Sequence, residues 1–206
     1  MNRKVGWRRK SAVKAALDRQ DDFHEFGGFR LRKFPSDCMA AHGLLFRCSP
    51  QVIVEMGSAH GASALLMASW APLIGLEQII SVDIQEVDRP VHPQIKFIVG
   101  DSSLPQIVRQ IHDIVGKRSC ALILDSDHNA PHVRKELELY HGLVGKGQAL
   151  IVEDTLVDVL SFKKFRAGGG PLRALDGFLE KHPEFREAEG VEPYITTNFF
   201  GYLVRG

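Results

Sequence analysis

The chain reads as an α/β protein whose parallel sheet carries helices on both faces. Three observations lead there. Strand-like and helix-like segments alternate from residue 50 onward, the strand-like runs are apolar throughout, and several stop abruptly at a carboxylate. Continuous apolar runs suit strands buried on both sides, the situation of a parallel sheet between helix layers. Residues 51–55 make the first such strand, and 62–71 a helix stopped before Pro72. Residues 78–83 and 94–99 are the second and third strands. Residues 105–115 place Ile107, Val108, Ile111, Ile114 and Val115 at helical spacing and end at Gly116. A fourth strand at 120–124 leads to a helix over 130–143, closed near Gly145 and Gly147, and a fifth strand spans 149–152. The alternation then lapses. Residues 155–170 read as a long mobile loop ending in Gly168-Gly169-Gly170-Pro171 and feeding a helix at 172–181. Two last strands, 185–188 and 199–204, read as an antiparallel hairpin at one sheet edge. Ahead of residue 50 we expect one or two helices and a loop containing Gly27-Gly28 and Pro35. The chain thus divides into an N-terminal helical cap (1–49) and a cofactor-binding domain (50–206).

Bulk properties exclude more than they assign. A net charge of +1, with 44% hydrophobic and 25% charged residues, is ordinary for a soluble globular protein and gives no global reason to expect nucleic acid or an anionic membrane. The start is locally basic (Arg3, Lys4, Arg8, Arg9, Lys10, Lys14), which reads as a solvated, partly frayed helix; Asp18, Asp21, Asp22 and Glu25 follow closely. No apolar leader core and no run of membrane-spanning length is present, and Cys38, Cys48 and Cys120 are widely spaced without a CxxC pair. A cytoplasmic protein with reduced thiols is expected.

The chemistry concentrates at strand ends. The first strand runs into Glu55-Met56-Gly57-Ser58-Ala59-His60-Gly61-Ala62-Ser63. Glycine lets the backbone turn sharply and approach a ligand, and the following helix start offers free amides. The spacing is GxxxG after an acid rather than GxGxxG, so a pyrophosphate cradle is incomplete. Acid-x-Gly suits a cofactor joining a nucleoside to a cationic amino acid, such as S-adenosylmethionine; a tight turn without ligand is the plainer alternative. Asp83, ending the second strand, can accept both hydroxyls of a ribose or simply cap the next loop. Asp101 and Ser102, after the third strand, sit where a nucleobase would be met, and would equally serve to cap a helix.

Asp125-Ser126-Asp127-His128 and Glu153-Asp154-Thr155 end the fourth and fifth strands, which share one edge of a parallel sheet. Up to four carboxylates converge there, and like charges that close call for a cation. Oxygen donors with one imidazole suit Mg²⁺ or Mn²⁺ more than zinc. His128 is a candidate general base, a candidate ligand, or a helix cap.

In this order the residues resemble the cephalosporin hydroxylase family, a group of class I S-adenosylmethionine-dependent methyltransferases that includes rhamnosyl O-methyltransferases. The matching stretches are Val54-Glu55-Met56-Gly57 through Ser63-Ala64-Leu65, Ile80-Ser81-Val82-Asp83-Ile84, Ile98-Val99-Gly100-Asp101-Ser102-Ser103, Ile123-Leu124-Asp125-Ser126-Asp127-His128, His132-Val133 through Glu136-Leu137, Leu150-Ile151-Val152-Glu153-Asp154-Thr155 and Gly169-Gly170-Pro171-Leu172. The resemblance implies a Rossmann-like, seven-stranded and mostly parallel sheet with an antiparallel last strand. It implies S-adenosylmethionine at the turn, met by Glu55, Gly57, Ser58, Gly61, Ser63, Asp83, Asp101, Ser102 and Asp125. It also implies Mg²⁺ held by Asp127, Glu153 and Asp154, with Asp127 set ahead of Asp125 and the choice between them left open; our candidates for catalysis are His128 and Asp127. Despite the family's name, no two-His-one-carboxylate iron set is visible.

The expected function is a Mg-assisted O-methyltransferase acting on a hydroxyl of a sugar or other polyhydroxylated small molecule, without nucleic acid or membrane span and with homo-oligomerisation left open. Two rivals are a nicotinamide-dependent oxidoreductase, which would prefer GxGxxG, and a non-catalytic nucleoside-binding domain.

Overall fold

The computed structural model describes residues 4–17, 24–165 and 167–206; Arg3, Asp18, Asp21, Asp22 and Arg166, which enter the expectations above, lie outside them. An N-terminal section comprises α1 (Trp7–Leu17), the hairpin strands β1 (His24–Phe26) and β2 (Phe29–Leu31), and α2 (Pro35–Cys48). Then follow β3 (Val52–Met56), α3 (Ala62–Ser69), α4 (Ala71–Ile74), β4 (Gln78–Asp83), β5 (Ile95–Val99), α5 (Pro105–Val115), β6 (Cys120–Leu124), α6 (Ala130–Tyr140) and β7 (Ala149–Val152). The chain closes with α7 (Leu156–Val159), α8 (Pro171–Leu179), β8 (Phe185–Glu187) and β9 (Tyr202–Arg205). No helix among the described residues is long and apolar enough to cross a membrane.

Seven strands form one sheet in the order β5-β4-β3-β6-β7-β9-β8, with β9 antiparallel to both neighbours. The expected parallel sheet with an inserted antiparallel last strand is present. Alternation along each strand builds two cores. Val54, Ile80, Leu122 and Leu150 face α5, α6 and α8, whereas Ile53, Ile79, Ala121 and Ile151 face α2, α3 and α4. Helices therefore cover both faces, and the central strands β6 and β7 are apolar throughout because every residue of each is buried.

Register sets the functional edge. Met56 pairs with Val82 on one side and Leu124 on the other, and Leu124 pairs with Val152. The next residue of each strand, Gly57, Asp83, Asp125 and Glu153, therefore stands in one row. Connections leave β3 and β6 in opposite directions, so this row lies where the strand order reverses, the usual place for a ligand crevice in an open α/β sheet.

Three local features differ from the sequence reading. Gly27 and Gly28 form the tip of the β1–β2 hairpin, with φ of +60° and +83°. Phe26, Phe29 and Leu31 fasten that hairpin to Ala62 and Leu66 of α3. The described residues of 155–170 are structured rather than a bare loop, because Asp158 accepts the amides of Gly170 (2.7 Å), Leu172 (2.9 Å) and Arg173 (3.3 Å) and so ties α7 to the start of α8. Finally, α1 is not merely solvated: Arg9 pairs with Glu192 at 2.7 Å and Lys10 donates to the Val159 carbonyl at 2.9 Å.

The N- and C-terminal sections meet at a buried carboxylate. Asp37 of α2 accepts the hydroxyls of Tyr202 (2.8 Å), Thr196 and Thr197 (3.1 Å) and the Thr197 amide (2.9 Å). Deleting it leaves buried donors without an acceptor. Asp37→Ala is expected to lower unfolding stability by about 3 kcal/mol, read from urea denaturation midpoints at constant slope.

Candidate active site

A cleft of about 680 Å³ opens at the strand-end row, lined among others by Gly57, Asp83, Asp101, Ser102, Asp125 and His128. This volume lies within the usual range of small-molecule sites. Gly57 adopts φ +98°, and a Cβ there would sit 2.1 Å from the Asp125 carbonyl oxygen. Only glycine lets β3 turn this close to β6. Asp83 accepts the Ala59 amide (2.8 Å) and the Gln85 amide (2.9 Å), one on each oxygen. Its carboxylate is thereby aimed along the cleft, with lone pairs to spare for vicinal hydroxyls.

Behind the turn, Glu55 is fully buried and accepts the Ser81 hydroxyl, which in turn meets Ser58 at 2.6 Å. Burial pushes the Glu55 carboxyl up, with Lys33, Ser63 and Ser81 opposing. Glu55 does not line the cleft; it braces the turn from beneath. Ser58 and Ser63 border a smaller adjoining hollow with Arg32 and Lys33, and Gly61 turns against Phe97 and Pro90.

At the other end of the row, Asp125, His128 and Asp154 bring donor atoms within 4.8 Å of one another. His128 Nε2 lies 3.3 Å from Asp125 Oδ1 and 3.3 Å from Asp154 Oδ2. Neighbouring ligands of an octahedral Mg²⁺ stand roughly 2.9 Å apart, so these donors are close to a cis arrangement. Glu153 and Asp125 also accept the ammonium of Lys33, at 2.5 and 2.8 Å. Asp127 stands apart from the cluster. It is exposed, and Oδ1 accepts the Asn129 amide (3.2 Å) and side chain (2.5 Å), closing a local turn ahead of α6. The donor set gathered in space is therefore Asp125, His128 and Asp154, where the resemblance implied Asp127, Glu153 and Asp154.

Electrostatics follow from that packing. Burial pulls Lys33 down, but Asp125, Glu153 and Glu55 hold it well above its ordinary value. Burial lifts Glu153 while Lys33 opposes, and burial lifts Asp154, aided by Asp125. Asp125 is lowered because Lys33 and His128 outweigh its burial. His128 rises to about 9: burial opposes protonation, but the Asp125 hydrogen bond and the charges of Asp154, Asp125 and Glu153 prevail. Asp154 itself sits at φ +52°, unusual for a residue with a Cβ, and its amide is held by Asn198 Oδ1 at 2.9 Å.

Two further residues escaped the sequence reading. Ser102 and Ser126 donate to Glu136 Oε1 at 2.6 and 2.7 Å, and His132 approaches the same oxygen at 3.1 Å. Neither His132 nor Glu136 carries a role in the sequence reading, yet His132 lines the cleft. Its i,i+4 spacing to Glu136 on α6 was the available signal.

The strand order, the inserted antiparallel strand and the cleft at the reversal are those of a class I methyltransferase fold. A cmcI structure described as its Mg-SAM form has a TM-score of 0.70 at 18% identity, covering 100% of this chain and 87% of that one. A MycE methyltransferase structure with Mg, SAH and mycinamycin VI has a TM-score of 0.60 at 19% identity, covering 99% and 54%. At the sequence level, the Rhamnosyl O-methyltransferase/CmcI family model matches residues 20–206, and the chain belongs to that family. A rhamnosyl O-methyltransferase of Mycobacterium leprae (strain TN) is 32% identical over 165 residues, spanning 76% of this chain and 70% of that protein. One from Mycobacterium bovis (strain BCG / Pasteur 1173P2) is 28% identical over 166 residues, spanning 76% and 66%.

Two outcomes are expected. Gly57→Ala adds left-handed strain and a clash with the Asp125 carbonyl, so its melting temperature falls and its divalent-ion binding weakens with it. In metal-free protein, His128 binds its proton more tightly when folded than unfolded. Its stabilising contribution is present below pH 6.5 and is lost as pH rises through about 9. Urea midpoints of wild type and His128→Gln should therefore differ most near pH 6 and converge above pH 9.

Proposed function

We infer that this chain transfers the methyl group of S-adenosylmethionine to a hydroxyl of a sugar, with a rhamnosyl group foremost, in a divalent-ion-dependent reaction. The observation that carries this reading is the single row of Asp83, Gly57 and Asp125 running into the Asp125–His128–Asp154 donor set within one cleft. The family supports the acceptor class, since the matched mycobacterial relatives are rhamnosyl O-methyltransferases. The three cysteines, none in a disulfide, fit a reducing cytoplasm.

When bound, the cofactor supplies an electrophilic methyl on a sulfonium, and Mg²⁺ or Mn²⁺ supplies positive charge for an acceptor oxygen. The remaining work falls to this chain. Asp83 accepts the ribose hydroxyls, and the bare Cα of Gly57 leaves room for the cofactor's central part. Asp101 and Ser102 border the nucleobase end. Asp125, His128 and Asp154 would hold the ion, which requires a neutral His128, and the proton of the acceptor hydroxyl leaves to solvent as its oxygen takes the methyl. Asp127 is instead engaged with Asn129, just ahead of α6. Rate enhancement then comes mainly from holding acceptor and methyl in line within a cleft that limits water.

Calorimetry of the whole chain tests this. S-adenosylhomocysteine should bind in the micromolar range, and NAD should not. Asp83→Ala should weaken S-adenosylhomocysteine by about 1.5–3 kcal/mol, the size of a lost charge-assisted hydrogen bond. Methyl transfer to rhamnosyl acceptors should vanish in chelator and return with Mg²⁺ or Mn²⁺. Tight NAD binding with no response to S-adenosylhomocysteine would overturn the assignment.

A further inference from the structure

The basic segment that contains α1 supplies no lining to the cleft. Residues 1–17 contain no Asp or Glu. The inner side of α1 is fixed to the body. Val13 is buried with Phe34, Leu156 and Phe199, Arg9 pairs with Glu192 at 2.7 Å, and Lys10 donates to the Val159 carbonyl at 2.9 Å. Helical spacing then puts Trp7, Arg8, Ser11, Lys14 and Ala15 on the outer side, and all five are exposed, Trp7 at 73%. The segments that hold α1 extend this face. Arg9 donates to the carbonyl of Tyr194 (2.8 Å), a residue 60% exposed. Phe162, 41% exposed, follows Val159 by three residues, and the exposed Lys163 and Lys164 come next. Of the acids on these segments, Glu192 is engaged by Arg9 and Asp158 by the amides of Gly170 and Leu172. The face also borders the acid end of the cleft: Phe34, in the same cluster as Val13, directly follows Lys33, which bonds Asp125.

We propose that the outer face of α1, with Trp7, Arg8 and Lys14 at its centre, is a docking surface for the headgroup layer of an anionic lipid bilayer. Trp and Tyr settle at the headgroup level because the ring body is apolar and its tip polar, so the exposure of Trp7 and Tyr194 is relieved there. Each cation held close to anionic lipid strengthens the attachment about fivefold at low ionic strength. The complementarity is local. The chain's net charge is only +1, so attraction comes from where cations are concentrated rather than from their total. Nucleic-acid sites for single strands combine their cations with a groove that tracks the backbone. Here cations and rings instead stand on the outer side of one anchored helix and the turns beside it, which suits a plane of headgroups. Attachment is peripheral and electrostatic, with Trp7 entering among the headgroups.

The test uses the full-length chain and vesicles of phosphatidylcholine, pure or with about 30% phosphatidylserine, with bound protein read by sedimentation. Wild type should bind the anionic vesicles at least about tenfold more tightly than the neutral ones and be released by about 0.5 M NaCl. Arg8→Glu/Lys14→Glu should weaken that binding at least about twentyfold. Trp7→Ser keeps every charge and should weaken it about threefold to tenfold. Lys117→Glu/Lys146→Glu makes the same charge change at exposed positions after α5 and before β7, and should bind as wild type does. If the first reversed pair does not fold, Arg8→Gln/Lys14→Gln decides, with binding at least about tenfold weaker than wild type. A wild type indifferent to phosphatidylserine would overturn the proposal. So would equal losses in the two reversed pairs, since binding would then follow total charge. Binding to duplex DNA or RNA without binding to vesicles would assign the face to nucleic acid and overturn it as well. The inference stands apart from the methyl-transfer reading, and S-adenosylhomocysteine should bind equally to wild type and every variant.

Discussion

Carboxylates crowd the end of this sheet because parallel register leaves them no alternative. Asp125 follows Leu124, Glu153 follows Val152, and those two apolar residues are hydrogen-bonded neighbours on adjacent strands. The acids must meet at the crevice once the strands pair, and their mutual repulsion has to be relieved from outside the sheet. Lys33 does so from the N-terminal side, where the hairpin and α2 join, and His128 does so from the start of the next helix. The N-terminal section is in this sense part of the electrostatic design. Its hairpin is pinned to α3 by apolar contacts so that one ammonium can be placed within hydrogen-bonding distance of two strand tips.

Precision at the third acid comes from the opposite end of the chain. Asp154 is held in a left-handed backbone conformation, and the Asn198 side chain that binds its amide belongs to the same segment that Asp37 organises. Asn198 also donates to Tyr202, itself bonded to Asp37. A buried network thus links α2, the segment before β9 and the tip of β7. Such networks are costly to leave half-made and rigid when complete, which suits an acid held in a sparsely populated backbone conformation. On the nucleobase side, Glu136 performs a similar service by gathering the hydroxyls of Ser102 and Ser126 under the cleft wall.

Much of this was legible in one dimension. The strands of the main sheet declared themselves because burial on both faces demands continuous apolar runs, and their ends because charge cannot continue inward. The glycine after β3 and the acid after β4 followed from what a tight turn and a ribose require. Other features were opaque for definite reasons. Asp125 and Asp127 are two residues apart, and spacing cannot say which one faces its neighbours; in the fold Asp125 meets His128 and Lys33, whereas Asp127 bonds Asn129. The 155–170 segment looked unstructured because its order depends on one aspartate, Asp158, reaching amides at the far end of the loop. The β1–β2 hairpin was too short to carry a periodicity, and its stability derives from α3 rather than from its own residues.

Sequence by itself determined the layered α/β architecture, the crevice edge and the kinds of atom gathered there, because hydrophobic periodicity and abrupt charge are local properties of the chain. Tertiary structure alone decided how those atoms are shared: which carboxylates face the imidazole, which one is given to a lysine more than ninety residues away, and which acid sits on a left-handed backbone. Those choices depend on distances through space between segments remote in the chain, and no spacing along it encodes them.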